Sequence, residues 1–569
     1  MLKISVLSIF LFLAQIGLSQ TKSVSLQING LPKSFAQKDL QFPDSLSAYR
    51  GLQQQITALQ FAGYFDVDLK STEFKNDTLF ADVDAGKRYP GIILQNGNVP
   101  LALIHDLGLK IQFQKSIPIA LTELEKTYST ILNYFQNNGY PFAQVWFDSL
   151  TDTKETLQAK VFINEGKKIT LDTLRLVGSA KLSQAYLSSY LGLKNDELYN
   201  EEKIKNVEKR LRDLPFITLP KPPEVIFSGN SAKINLFADK QNANQFDGII
   251  GFLPNAQTGK LQLTGDFKLN LKNALKNGET LDFNYRGLPA QSQELNLAFI
   301  YPYLFKSQLG INTSFQLFKR DTSFLNLNTK LAFDYNFSLT KKISFFLENF
   351  RGNQVSTEQV ATIPNNANIN SVFYGIALAY VNLDNKIIPL KGADLNLQLS
   401  AGQRKVTSSQ NFNPEDYFEK TKSQQFKIQA DLKYYFKLGA KSVLFAHNNA
   451  AILTGKNIFE NEAFRIGGFK TLRGFDEQSI SVNSYSIQTT EFRYFVEKNS
   501  YLNLFYDQAY IYQNFVNQKS SDYPLGIGAG ITFQTKIGIT SLSYAIGKQQ
   551  NIPLDLQKGK IHIGILSYF

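Results

Sequence analysis

The sequence predicts a membrane β-barrel of about 16 antiparallel strands preceded by three small α/β modules. Three observations predict it. An apolar run near the N-terminus marks the chain for export. Helical periodicity is confined to the first 240 or so residues, after which strict alternation takes over. The chain also holds 46 Phe and 27 Tyr against one Trp and one Met, yet its mean hydropathy is −0.20. A lipid-facing barrel wall uses only every second residue, so abundant aromatics and low mean hydropathy go together.

Lys3 supplies a positive start, Ile4 to Leu18 form the apolar run, and Gly17 and Ser19 sit at the −3 and −1 positions before Gln20. This pattern reads as a signal peptide over residues 1–19, too short and wrongly flanked to stay as a membrane helix. No later apolar run reaches the ~18 residues that would suggest one. The chain has no cysteine, which excludes a lipid anchor, a disulfide scaffold and a thiolate metal site. Its 60 Lys+Arg against 48 Asp+Glu give a net charge of +12, suited to anionic headgroups or acidic partners. Scattered charge behind an export signal argues against nucleic acid.

The first half repeats itself at a period of roughly 70–75 residues. Residues 20–90 give a strand at 24–28, a helix over 46–61 ending at Gly63, and strands at 64–69 and 78–83. Residues 91–168 give a helix over 121–138, the turn Gly139-Tyr140-Pro141-Phe142, and strands at 143–147 and 157–163. Residues 169–240 give a strand at 172–177, helices over 182–191 and 201–211, and strands at 224–227 and 232–238. Each helix runs into a Gly-aromatic or Pro-Phe step, as in Gly63-Tyr64-Phe65 and Pro215-Phe216, and two modules close on Gly86-Lys87 and Gly166-Lys167. The strands at 24–28 and 78–83 are candidate free edges for binding extended clients by strand addition.

From 241 to 569 alternating segments recur sixteen times. In the clearest, Phe426, Ile428, Ala430, Leu432, Tyr434 and Phe436 share one face, and Lys427, Gln429, Asp431 and Lys433 the other. An apolar face opposite a charged one fits lipid outside and a wet lumen inside. Such a sheet must close, because lipid offers unpaired backbone no partner.

Enzymatic chemistry finds no foothold. His105, His447 and His562 are far apart, no Gly-x-Ser-x-Gly elbow occurs, and Gly526-Ile-Gly528-Ala-Gly530 lies in a strand pattern with no helix after it. Those glycines read instead as curvature or close approach of another segment. No cofactor or metal is expected. The outstanding feature is the long connection 454–483, which carries Arg473-Gly474-Phe475. A guanidinium is a planar fork suited to a carboxylate. Glu491 and Arg493 share one face of the following strand and are expected inside the barrel, near the loop.

With those residues in view, the chain resembles the BamA/TamA superfamily of outer-membrane assembly and translocation proteins, and its length and module count resemble the TamA-like branch. The modules resemble POTRA domains. The third carries the resemblance best, in Thr173-Leu-Arg-Leu-Val-Gly178, Leu191-Gly192-Leu193, Tyr199 and Leu211-Arg-Asp-Leu-Pro-Phe216. The resemblance implies that loop 454–483 is the sixth extracellular loop, folded back into the barrel. Arg473 would there meet an aspartate of the thirteenth strand within a Phe-x-Asp-x-Gly pattern. Here that pattern reads Phe505-Tyr506-Asp507-Gln508-Ala509, and Ala509 in place of glycine puts close backbone approach at 509 in question.

The resemblance further implies a lateral seam between the first and last strands, at which Gly251, Gly564 and Ser567 place small residues, and a terminal Phe569 that the assembly machinery reads. Implied partners are unfolded outer-membrane or secreted protein clients, a periplasm-spanning TamB-like or accessory subunit, and outer-membrane lipid. The implied location is the bacterial outer membrane, with the modules in the periplasm. A two-partner secretion transporter is the alternative, though that branch carries two modules and a plug helix. A plain porin or receptor barrel is the second alternative.

Overall fold

The computed structural model describes residues 23–567, apart from 36–39, 90, 114–117, 153–155, 255–260, 288–291, 339, 356–362, 386, 410–411, 536–537 and 551–552. The predicted signal peptide and Phe569 lie outside the described residues. Two compact units divide the chain. One holds the residues up to Leu171, with Asp196–Glu202 and Gly229–Ser231; the other holds the rest of the third module and all that follows.

In the first unit, strands run in the order Leu40–Phe42, Val24–Asn29, Thr78–Asp84, Asp68–Lys75. Helix Ser45–Phe61 starts where the Asp44 carboxylate accepts from the Ser47 N–H at 2.7 Å, an N-cap that satisfies one otherwise orphaned donor. It buries Leu52, Ile56 and Leu59 with Leu26, Leu79 and Val83. Two expectations fail here. The segments 24–28 and 78–83 are interior strands, each paired on both sides, so the long free edge is Asp68–Lys75. The strand expected at 64–69 begins at Asp68, because residues after Gly63 (φ +101) turn, and Phe65 stacks near Tyr89 with ring centroids 5.9 Å apart. The next module orders Ile92–Asn96, Leu157–Asn164, Gln144–Asp152 under helices Leu101–Asp106 and Leu121–Asn137.

In the second unit, strands Glu224–Ser228, Ser231–Phe237 and Thr170–Val177 form a sheet in that order. Helix Gln184–Leu191 ends at Gly192, whose φ of +67 suits only glycine without strain. The helix expected over 201–211 is split into Glu201–Lys205 and Val207–Arg212 at Asn206, which keeps helical φ/ψ (−82, −11). Tyr186 and Tyr190 stack at 5.5 Å, and both approach Tyr303 in a barrel hairpin, at 5.8 and 6.4 Å. Burial there pushes the Tyr303 hydroxyl up to about 12 and Tyr186 well above its ordinary range.

One antiparallel sheet runs from Gln245–Pro254 to Lys560–Ser567, its sixteen long strands each paired with the next. Sixteen long strands correspond to the sixteen alternating segments. The seventeenth is short, Gln518–Asp522; it continues strand fourteen (Leu525–Gln534) after a break at Tyr523-Pro524 and pairs with the far half of strand thirteen (Ser500–Phe515). Proline has no N–H to give the ladder, so the strand breaks there. The alternation sorts as expected: Phe426, Ile428, Tyr434 and Phe436 are exposed on the wall, while Lys427 reaches Glu348 at 2.6 Å and Asp431 reaches Lys433 and His447 within the lumen.

The two ends of the sheet come within 8 Å, Cα to Cα, yet share no hydrogen-bonded ladder among the described residues. Strand one has 10 residues and strand sixteen 8, against 16 in strands eight (Asn368–Leu383), nine (Gly392–Thr407) and ten (Lys422–Lys437). The wall is thus lower at its two ends than on the side of strands eight to ten.

Candidate functional site

Connection 454–483 joins strand eleven (Ser442–Thr454) to strand twelve (Ser484–Glu497). It carries its own strand pair, Phe464–Ile466 with Ile480–Val482, which closes the stretch between them into a hairpin-like tongue. Ile466, Leu472, Ile480 and Val482 form an apolar core with Ile487, Ala509 and Ile511 of the wall. Inside the barrel the tongue is thus held by ordinary burial as well as by charge.

At its tip Arg473 meets the wall four times. Its Nε donates to Asp507 Oδ2 at 2.8 Å, its Nη2 to Asp507 Oδ1 at 2.7 Å, and its own backbone N–H to Oδ2 at 3.2 Å. Its Nη1 donates to Glu491 Oε2 at 2.6 Å. The guanidinium also lies 3.4 Å from the centre of the Phe505 ring. Glu491 takes a second donor, Arg493 Nε, at 2.7 Å, and the Arg493 guanidinium stands over the Phe445 ring at 4.4 Å. Asp507 takes the Thr489 hydroxyl at 2.8 Å. Asp507 is fully buried and Glu491 and Arg493 nearly so, whereas Phe492 and Tyr494 are exposed on the outer face. A desolvated pair of this kind is held only because nearly every lone pair and donor is matched.

The approach depends on missing side chains. Asp507, Gly526 and Gly547 lie in one row across strands thirteen, fourteen and fifteen (Gly538–Lys548). A Cβ on Gly526 would stand 2.1 Å from the Arg473 carbonyl oxygen, and one on Gly547 would stand 2.7 Å from that of Gly474. Gly474 itself has φ +89. Backbone thus lies directly on backbone along a glycine track. The question raised by Ala509 is settled by register. Ala509 faces the apolar core of the tongue, and the residue opposite Asp507 that must be glycine is Gly526 on the neighbouring strand.

Beyond Arg473 the tongue reaches both sides of the seam. On strand sixteen, His562 Nε2 accepts from the Gly474 N–H at 3.2 Å, and Lys560 pairs with Asp476 at 2.7 Å. A Cβ on Gly564 would meet the Phe469 ring at 3.0 Å, so this small residue also makes room for the tongue. On the other side, Glu477 lies 3.9 Å from Arg286 of strand three (Thr280–Gly287), and Gln478 donates to Glu294 of strand four (Gln293–Tyr301) at 3.2 Å. Gly251 pairs with Thr264 of strand two (Leu261–Lys272), and Ser567 with Gly538, each on a strand bordering the seam.

Sequence reasoning missed Thr489, Gly547 and His562. The glycine run 526–530 was the available signal for the track, read without a partner. Earlier in the loop, Glu462 pairs with Arg404 at 2.7 Å and takes Gln425 Nε2 at 2.8 Å, while buried Asn461 donates to Ala367 and accepts from Asn326 through its backbone carbonyl.

A many-stranded antiparallel barrel whose long loop is bound along its inner wall, behind α/β modules, defines a class of outer-membrane protein organised around an internal tongue. Residues 273–565 match the Omp85 superfamily domain, and the chain belongs to that superfamily. No curated protein matches the chain by sequence. Among solved structures, CdiB from Escherichia coli is similar at 12% identity, covering 92% of this chain and 97% of that one, with a TM-score of 0.52. CdiB from Acinetobacter baumannii matches at 13% identity, over 88% and 93%, with a TM-score of 0.49. BamA from Haemophilus ducreyi lacking POTRA domains 1-3 matches at 15% identity, over 84% and 100%, with a TM-score of 0.47. At such identities the likeness concerns the fold.

Proposed function

We propose that this chain is a non-enzymatic factor of the bacterial outer membrane that assembles or translocates unfolded protein clients. Clients are received by the periplasmic modules and passed to the seam between strands one and sixteen. The observation that carries this reading is the seam itself: strands that meet without a ladder among the described residues, with side chains of the tongue reaching strand sixteen on one side and strand three on the other. An unpaired strand edge is a template for an incoming strand, which pairs with it by backbone hydrogen bonds alone. The bridging contacts are few and partly exposed, so separating the edges costs little compared with opening any other pair of strands.

Paired cysteines on strands one and sixteen, oxidised to a disulfide, should stop client assembly and release it again on reduction. Undiminished assembly with the seam locked would overturn the reading. A two-partner secretion transporter, the rival, passes its client through the lumen. Tethering the tongue by a disulfide to strand thirteen would then block export, whereas a seam-locked barrel would still work.

A further inference from the structure

Where the third module meets the barrel, a cleft of about 660 Å³ opens between Ser179–Lys181, Phe216–Ile217, the linker 240–244 and the hairpin from strand two to strand three. Four lysines line it: Lys181, Lys240, Lys272 and Lys276. No carboxylate does. Lys181, Lys240 and Lys276 form no ion pair among the described residues. The nearby Asp239 is engaged, accepting from the Ser179 hydroxyl and N–H, both at 2.9 Å. The walls are fixed: Asn273 donates to the Lys181 carbonyl at 3.1 Å, the Ser183 N–H to the Lys276 carbonyl at 2.8 Å, and the Lys272 N–H to Asn244 Oδ1 at 3.0 Å. A cleft lined by several cationic residues and no carboxylate favours an anion over a cation.

A second observation says what kind of anion. Between Lys272 and Lys276, at the hairpin tip, Leu275 is 61% exposed. The pairing recurs on other hairpins at this end of the barrel. Phe305, 92% exposed, adjoins Lys306, and exposed Leu438 lies between Lys437 and Lys441. An apolar tip beside an ammonium group fits the bilayer interface, where the one enters the acyl boundary and the other stays with the phosphates. The antiparallel order puts the hairpin at the margin where the barrel wall leaves the membrane.

We propose that this cleft binds the phosphate headgroup of an anionic phospholipid, at the foot of strand one. Its lysines come from the module, the linker and the first barrel hairpin, so a bound headgroup would tie all three together beside the seam. The inference rests on the barrel lying in a membrane, not on which clients it handles.

The test uses the full-length barrel in mixed micelles of phosphatidylglycerol and phosphatidylcholine, with co-purified lipid counted by native mass spectrometry. Wild type should enrich phosphatidylglycerol. Lys181→Gln/Lys240→Gln/Lys276→Gln should lose that enrichment by roughly tenfold. A second triple variant at Lys75, Lys110 and Lys126, cationic positions in the first two modules, should lose far less. Heat-modifiable migration on gels confirms that each variant is folded. Equal enrichment in wild type and the cleft variant would overturn the proposal. So would displacement of the lipid by millimolar inorganic phosphate, which would make the site one for free phosphate. A client-assembly defect with unchanged lipid binding would count against it too, whereas loss of lipid binding with normal assembly leaves it standing and separates it from the functional reading.

Discussion

The Arg473 carbonyl lies where a side chain on Gly526 would begin, 2.1 Å from the Cβ position. This contact sets how deep the tongue can sit, and with it the reach of the guanidinium to Asp507. Gly526→Ala should therefore dislodge the tongue without touching any charged group. The expected outcome is protease cleavage within 454–483 in the variant and resistance in wild type. Ala509→Gly, at the position where the family pattern has glycine, should change little beyond ~1 kcal/mol of lost packing and added chain entropy.

Removing either member of the Arg473–Asp507 pair leaves the other buried without its partner, which typically costs ~3–5 kcal/mol. Arg473→Ala and Asp507→Ala should each lower barrel stability on that scale in urea unfolding. The double variant should lose much less than the sum, because each single change already breaks the same contact. Strictly additive losses would mean the contact carries no energy.

Thr489→Val should have a smaller effect, about 1 kcal/mol, since it takes one hydrogen bond from Asp507 while the guanidinium remains. Denaturation midpoints compared with Thr489→Ser, which keeps the hydroxyl, would isolate that bond.

The Lys560–Asp476 pair is more exposed, so its worth falls in the ~0–1 kcal/mol range and is screened by salt. Lys560→Asp or Asp476→Lys should raise the rate at which single cysteines on strand sixteen react with a soluble thiol probe. Combining the two substitutions should restore the wild-type rate at low salt. Failure to restore it would mean the pair does not hold the seam.

The tyrosine joint between the third module and the barrel carries a pH dependence of defined sign. Burial raises the folded-state value for Tyr303 to about 12, above its ordinary value of 10. Its contribution is thus fully present below about pH 10 and is lost as pH rises through 12. Tyr186, raised for the same reason, acts in the same direction. Limited proteolysis in the linker 240–244 should accelerate over that alkaline range, and Tyr303→Phe should blunt the change.

Much of this molecule was readable from residues alone, for a physical reason. Strand alternation, aromatic content and turn spacing are local, and the bilayer imposes period two on every segment regardless of its neighbours. The sixteen long strands and the inward face of Glu491 and Arg493 follow from that, while the α/β modules were legible from their own repeating helix-and-strand order. What went wrong was pairing: segments 24–28 and 78–83 look like edges, but which strands lie beside which depends on a sheet order that alternation does not encode. The seventeenth strand was missed because its five residues, Gln-Lys-Ser-Ser-Asp, carry no apolar face.

Sequence by itself determined the modules before a barrel and the presence of one arginine-bearing loop too long to be a turn. Only the tertiary structure decided where that loop rests. The row Asp507–Gly526–Gly547 joins residues from three strands by cross-strand register, which no spacing along the chain records. The reach to Lys560 and Arg286, on opposite sides of the seam, likewise exists only once the sheet has curled until its ends meet.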